Sequence, residues 1–165
     1  MIRIVVAMER EAKMLAERLP TMLIDVTGIG QVGLIPPTTE NDVIVNVGYA
    51  GGYHVPVGRI IEPSFALDYE TGEGTSVDHI FVGCGRYRCY TANEFVTEPC
   101  TSLSSIYDME LAKLAKLPHK KLYALKIVSD SLNEQECEAF NGEERWDEVA
   151  RLLKQYVIGE DILNG

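Results

Sequence analysis

The sequence lacks the features that most quickly assign a protein to a class. Its four cysteines form no C-x-x-C pair, so they predict free thiols rather than a zinc site or a disulfide framework. Its three histidines have no metal-ligand spacing and no G-x-S-x-G motif occurs, so zinc and covalent serine chemistry are both unsupported. No apolar run approaches the ~20 residues that span a bilayer. We therefore expect no metal and no membrane-spanning segment.

Positive charge is also scarce. The chain has 15 Lys and Arg against 25 Asp and Glu, which gives a formal net charge of −10. Such a charge argues against nucleic acid or an anionic membrane as a partner, and it leaves small-molecule ligands open. Free thiols, together with a first apolar run too short for a signal peptide, predict a cytoplasmic protein.

Strand-like and helix-like patterns alternate along the chain. The residues are 46% hydrophobic, and their periodicity predicts one α/β domain over residues 1–165, with helices on both faces of a sheet. Strands are expected at residues 2–7, 23–27, 43–47, 58–67, 79–82, 86–91 and 122–128. Helices are expected at 8–19, in the stretch "YDMELAKLAK" (107–116) and at 143–157.

Two glycine-rich stretches follow predicted strands. "GIGQVG" (28–33) matches the dinucleotide-binding fingerprint, but Pro36 and Pro37 stop the helix that this motif requires, so we disfavour a Rossmann site. A close backbone approach to a ligand and a plain tight turn both remain open there. "GYAGG" (48–52) lies at a strand's carboxyl end, where it is either a flexible turn or a ligand-binding edge.

One carboxylate stands out within "YDMELAKLAK". If this stretch is a helix capped by Ser105, Glu110 falls in its apolar stripe and Asp108 on the opposite, outward face. A carboxylate among leucines must be neutral, paired or bound to a ligand. Pairing with Lys126 or an arginine is the structural alternative, and we favour a ligand contact.

Two further carboxylates have ordinary explanations when read alone. Asp130 follows a strand, and the neighbouring Ser131 and Glu134 look like a capping box that it decorates. Glu11 lies in the first turn of a helix, where the helix dipole favours acidic residues. Residue pattern alone thus favours structural roles for both.

Six stretches, taken in order, resemble the nucleoside phosphorylase superfamily, most closely the methylthioadenosine/S-adenosylhomocysteine nucleosidases. They are "IRIVVAMEREAKML", "TGIGQV", "VIVNVGYAGG", "VGRII", "DMELAKLA" and "LKIVSDSLNE". The resemblance implies a three-layer α/β/α sandwich around a mixed central β-sheet. It also implies hydrolysis of the N-glycosidic bond of a purine nucleoside without a cofactor, and a role in purine salvage.

The resemblance also implies a role for each matching residue. Glu11 would orient and deprotonate the attacking water, and Asp130, supported by Ser129, would protonate the leaving purine. The other implied substrate contacts are Met109 and Glu110 at the ribose, Phe95 and Val96 at the base, Gly30 in "GIG", and Tyr49 in place of a small residue beside the anion or water site.

Several departures from the family leave alternatives open. The chain is short for this family, and Lys126 stands where the nucleosidases carry an arginine. "AMEREA" replaces the arginine-containing phosphate loop of the phosphorylases, which favours hydrolysis. The alternatives are a phosphate-dependent purine nucleoside phosphorylase and a catalytically silent nucleoside-binding protein.

Because the family forms dimers and the glycine-rich loop at 72–74 is a poor lid, we expect a homodimer.

Overall fold

The computed structural model of the protein describes residues 1–159, so the predicted domain's last six residues, 160–165, lie outside the described residues. The strands are β1 (Ile2–Val6), β2 (Ile24–Val26), β3 (Val43–Tyr53), β4 (Ile60–Ile61), β5 (Phe65–Asp68), β6 (Gly74–Ser76), β7 (Arg88–Thr91), β8 (Ser105–Asp108) and β9 (Lys121–Asp130). The helices are α1 (Glu9–Arg18), α2 (Leu111–Leu114), α3 (Glu134–Ala139) and α4 (Glu143–Leu152). A 3₁₀ turn spans Val32–Leu34, and α4 continues as π-helical turns over Leu153–Ile158.

All of the strands belong to one mixed sheet with helices on both faces. Its order is β2-β1-β3-β8-β7-β5-β6, with β9 paired to β3 and β4 paired to β9. Side chains of β3 alternate between the two faces: Val47 packs in one core cluster with Leu15 of α1 and Trp146 of α4. Ile44 packs in a second cluster with Leu111 of α2. The predicted three-layer α/β/α sandwich around a mixed sheet is confirmed.

The central strand β3 has a gap along one edge. Parallel β9 pairs with β3 along its other edge, from Val43 to Gly51. The first edge is therefore shared: parallel β1 covers it up to Asn46, and antiparallel β8 covers it from Gly51 onward. The carboxyl ends of β1 and β8 thus converge on residues 47–50. Ligand sites of open α/β sheets form where strand ends meet in this way.

Both glycine-rich stretches have a defined structure. Residues 48–52 continue β3 instead of leaving it, so of the two alternatives left open for this stretch, the flexible turn is wrong. In "GIGQVG", Gly28 and Gly30 have positive φ values of 79° and 69°, which glycine adopts without strain. A single 3₁₀ turn follows them, in agreement with the expectation that no dinucleotide-binding helix begins here.

The stretch "YDMELAKLAK" departs most from its prediction. Ser105–Asp108 is strand β8, and the helix has only the one turn of α2. Because β8 pairs with both β3 and β7, sheet pairing outweighs the local helical pattern. Ser105 therefore caps no helix: its hydroxyl donates to the Leu103 carbonyl and lies 2.9 Å from the Tyr107 hydroxyl, with which it shares a hydrogen bond.

Two smaller predictions are also wrong. The capping box of Ser131 and Glu134 does not form, because α3 begins at Glu134 itself. Asn133 is the N-cap residue, and its side chain accepts from the Glu136 N–H at 3.0 Å. Residues 79–82 form no strand. Their backbone N–H groups find a different acceptor, the buried Glu62 carboxylate, which accepts from residues 80 and 81.

Candidate active site

A cavity of about 340 Å³ opens where β1 and β8 converge on β3. This volume falls at the lower end of the roughly 300–1,000 Å³ of small-molecule sites. All predicted site residues except Gly30 line it: Glu11, Tyr49, Phe95, Val96, Met109, Glu110, Ser129 and Asp130. Gly30 lies next to the lining residue Ile29 and donates its N–H to Glu110 Oε1 at 3.4 Å.

Glu11 is buried at the start of α1, with 1% of its surface exposed. Its Oε1 accepts from the backbone N–H of Met8 at 2.9 Å, which fixes the side chain against its own helix. Burial raises the pKa of Glu11 to about 7, with Lys126 lowering it and Glu110 raising it. Oε2 points at Gly48, where an added Cβ would lie only 3.2 Å away. Glycine at 48 therefore leaves room beside a carboxylate that ionises near neutral pH.

Asp108 lies inside the protein, so the prediction that it faces outward is wrong. As the last residue of a strand rather than part of a helix, it turns its side chain inward. Its Oδ2 lies 2.9 Å from Nζ of the fully buried Lys126, and it accepts hydrogen bonds from Thr91 Oγ1 and from Leu111 N–H. Burial alone would raise the pKa of Asp108, but Lys126 and these hydrogen bonds hold it below its usual value.

Glu110 is buried as predicted, with 6% of its surface exposed, but it precedes α2 instead of lying on a helical stripe. Burial raises its pKa, which Lys126 lowers and Asp108 raises further. The ion pair of Lys126 is made with Asp108. Among residues 1–159, no ion pair joins Glu110 to a basic side chain, and Glu110 lines the cavity.

Asp130 is rigidly held at the end of β9. Its Oδ1 accepts from Ser129 Oγ at 2.7 Å, and its Oδ2 accepts from the backbone N–H groups of Leu132 at 3.0 Å and Asn133 at 3.3 Å. An added Cβ at Gly51 would approach Asp130 Oδ2 to 2.9 Å. Only glycine therefore fits under this carboxylate, which lies on the cavity wall with a fixed orientation.

Tyr49 forms the wall of the cavity that faces the α3 and α4 side. Its hydroxyl accepts from Trp146 Nε1 at 3.0 Å, and its ring lies edge-on to those of Phe140 and Trp146. The Arg10 guanidinium lies 5.7 Å above the ring centre. The hydroxyl of Tyr49 is therefore directed at α4, while Glu11 lies beside Gly48.

The sequence predicted no site role for Lys126 beyond a possible ion pair with Glu110, although it stands where the nucleosidases carry an arginine. Its side chain is 0% exposed and carries the positive charge that faces the buried carboxylates. Burial lowers its pKa, but Asp108 and Glu110 raise it above its ordinary value. The sequence does contain a signal for a buried, paired lysine: Lys126 interrupts the otherwise apolar strand run "YALKIV", where an unpaired charge is costly.

The acidic side chains of the cavity do not form a metal site. No group of three or more His, Cys, Asp or Glu residues within residues 1–159 is placed to hold a metal ion. Over the same residues, no helix is both long and apolar enough to cross a membrane.

Comparison with known proteins identifies the fold. No protein-family model matches the sequence, and no curated protein is similar to it at a significant level. Solved structures match over nearly the whole chain. A variant of MTAN from Chlamydia trachomatis bound to MTA has a TM-score of 0.71 at 16% identity, covering 92% of this chain and 94% of that one.

Two Helicobacter pylori proteins match similarly. The 5′-methylthioadenosine/S-adenosylhomocysteine nucleosidase, in complex with a substituted pyrrolidine ligand, has a TM-score of 0.68 at 13% identity. A futalosine hydrolase mutant has a TM-score of 0.69 at 12% identity. Each match covers 93% of this chain and 96% of the other. The chain therefore has the fold of these hydrolases, as its resemblance to the nucleosidases predicts.

The raised pKa of Glu11 predicts how stability depends on pH. Between the ordinary value of 4.5 and about 7, the folded protein binds more protons than the unfolded chain, so its free energy of unfolding falls as pH rises. Glu110, whose pKa is also raised, contributes with the same sign. The free energy of unfolding of Glu11→Gln, measured with urea, should therefore rise relative to the parent's by about 1–3 kcal/mol as pH is raised from 4.5 to 8.

The matched control is Glu9→Gln, which changes an exposed glutamate two residues earlier in the same helix. Its stability should follow the parent's across the whole range. Parallel curves for Glu11→Gln and the parent would mean that Glu11 ionises normally.

Proposed function

We propose that this chain, which has the fold of the nucleosidases, hydrolyses the N-glycosidic bond of a purine nucleoside and releases the free base and the sugar. One observation carries the proposal: Glu11, Glu110 and Asp130, supplied by three separate elements, line a single cavity. Cleavage of this bond produces an oxocarbenium-like sugar and a poor leaving group. It therefore requires a base for water, an anion near the sugar and an acid at the purine.

Asp130 is the acid at the purine. Three hydrogen bonds fix its carboxyl group, so a proton held there is delivered to a defined ring atom. Ser129 supports it through the 2.7 Å bond to Oδ1. Phe95 and Val96 line the same cavity and supply the apolar surface on which a planar base packs.

Glu110 and Met109 hold the ribose. The backbone N–H of Gly30 occupies one carboxylate oxygen of Glu110, and the remaining acceptor positions are available to two sugar hydroxyls. The negative charge of Glu110 also becomes more favourable as the sugar becomes cationic in the transition state. Met109 lines the cavity beside it and packs against the sugar ring.

Glu11 activates the attacking water. A pKa of about 7 is close to the value at which a general base works best in neutral solution. The space above Gly48 puts a small molecule within reach of Glu11 Oε2. Among the described lining residues, Arg10 is the one basic residue, and its guanidinium lies over the ring of Tyr49. Because a single basic side chain binds phosphate weakly, the cavity is poorly suited to phosphate as the nucleophile.

The substrate class and the nucleophile are tested together by one assay. With adenosine as the probe in phosphate-free buffer, free adenine and ribose should accumulate. Added phosphate should change the rate little, because no cluster of basic side chains receives it. Absorbance reports the rate of base release, and chromatography identifies the sugar product. Strict dependence on phosphate would establish a phosphorylase instead, and bound but uncleaved adenosine would establish a silent binding protein.

The role of Glu110 is tested by Glu110→Gln, which keeps its shape and removes its charge. We expect a loss of roughly two to four orders of magnitude in kcat/KM, as for other well-placed electrostatic contacts. Thermal stability should stay level or rise, since burial of the charge is relieved. The exposed Glu98 lies outside the cavity lining, and Glu98→Gln should keep normal turnover. A destabilised Glu110→Gln protein with full activity per folded molecule would make Glu110 structural.

We also propose that the protein is a cytoplasmic homodimer active in purine salvage. All four thiols are free, as is usual in the cytoplasm. Ile29, which lines the cavity, and Leu34 in the following turn are 55% and 68% exposed, and contact with a second copy would remove this apolar surface from water. Sedimentation equilibrium at tens of micromolar should show a dimer. A monomer at that concentration would contradict this assembly.

A further inference from the structure

One buried lysine faces three buried carboxylates. Lys126 of β9 is 0% exposed, and Glu11, Asp108 and Glu110 are each less than a tenth exposed. Only Asp108 takes the lysine in a direct ion pair, at 2.9 Å. Charges removed from water interact strongly with their neighbours, so the ionisation of any one of these groups depends on the others.

The sheet fixes the relative position of the four groups. Gly48 and Lys126 are direct partners in the β3–β9 ladder. An added Cβ at Gly48 would lie 3.2 Å from Glu11 Oε2 and 3.8 Å from Lys126 Nζ. Glu11 and Lys126 therefore border the same space. Asp108 approaches from β8 on the other edge of β3, and Glu110 follows it by two residues.

Asp108 is itself immobilised. Thr91 Oγ1 donates to its Oδ1 at 2.6 Å, and the Leu111 backbone N–H donates to its Oδ2 at 2.8 Å. The carboxylate that holds Lys126 thus belongs to the sheet framework, and Asp108 lines the same cavity as Glu110. Among the described residues, no further side chain holds Lys126 Nζ by a hydrogen bond, so Asp108 is its polar partner, at 2.9 Å.

We propose that Asp108 and Lys126 act as a positioning pair that sets the ionisation state of Glu110, with Lys126 favouring and Asp108 opposing the charged form. The proposal rests on the proposed function for its catalytic meaning, because an ionised Glu110 is what the cationic sugar requires. The opposing effects of Lys126 and Asp108 on the ionisation of Glu110 are a property of the free protein. They are therefore measurable without substrate.

The two members act on Glu110 in opposite directions. Lys126 lowers the pKa of Glu110, and Asp108 raises it. If the pair were only structural, removing either member would loosen the same packing and disturb Glu110 in the same way. An electrostatic pair instead predicts that neutralising Lys126 raises the pKa of Glu110, whereas neutralising Asp108 lowers it.

Other elements also place charged, titratable or hydrogen-bonding groups near this cluster. From α1, Glu11 interacts electrostatically with both Lys126 and Glu110. From β7, Cys89 faces Lys126, but burial raises the pKa of its thiol well above the ordinary value, so it stays neutral. From the glycine-rich loop, Gly30 supplies a backbone N–H, and Lys113 of α2 bonds to the Gly30 carbonyl.

The experiment follows the carboxyl carbon of Glu110 by ¹³C NMR as pH is varied, with the signal assigned from Glu110→Gln. Relative to the parent, Lys126→Met should raise the pKa of Glu110 by about one unit or more, and Asp108→Asn should lower it by a similar amount. Lys126→Arg retains the charge and should leave the pKa within about half a unit of the parent.

The chain contains a matched control on the same strand. Lys121 of β9 and Asp78 form a half-exposed ion pair at 3.7 Å, far along the strand from the cavity. Lys121→Met and Asp78→Asn should leave the titration of Glu110 unchanged.

Two results would overturn the proposal. One is a shift of the same sign in Lys126→Met and Asp108→Asn, and the other is the absence of a shift in both. If Lys126→Met does not fold, the sign of the shift in Asp108→Asn decides, with Lys126→Arg as the charge-preserving reference. Because the titration needs no turnover, its outcome is independent of whether adenosine is cleaved.

Discussion

The positive charge of Lys126, buried among Glu11, Asp108 and Glu110, is the interaction on which the rest of the site depends. Removing one partner of such a pair costs about 3–5 kcal/mol, because it leaves an uncompensated charge in the interior. In this fold the lysine forms its ion pair with Asp108 of β8, whose carboxylate is held in place by Thr91. Glu11 and Glu110 are then influenced by Lys126 without being bound to it, so both remain available to a ligand.

The geometry of β3 explains why these groups meet at all. Its long edge is covered first by β1 and then, in the opposite direction, by β8, and the chain enters α1 and α2 at the uncovered residues between them. Glu11 and Glu110 each follow one of these strand ends. Parallel β9, on the other edge, contributes Lys126 opposite Gly48 and Asp130 opposite Gly51. The small residues of "GYAGG" leave the space between the two edges open.

The sequence predicted the layered architecture and the buried state of Glu110, but not the elements that produce them. Runs of β-branched residues identify β1, β3 and β9 because those strands are buried on both faces. The helical period of "YDMELAKLAK" was misleading, since β8 is defined by pairing with distant strands that no local pattern contains. Asp108 was therefore assigned to the wrong face, and Lys126 remained a mere alternative. Glu11 and Asp130 looked structural in isolation, and only the order of all six motifs related them to one site.

The most direct test of the whole account is a crystal structure of the slowed variant Asp130→Asn with adenosine bound. The account predicts the purine between Phe95, Val96 and position 130, the ribose hydroxyls within hydrogen-bond distance of Glu110, and a water between Glu11 and the anomeric carbon. A nucleoside bound in the reverse orientation, or a cavity that stays empty at saturating adenosine, would contradict it.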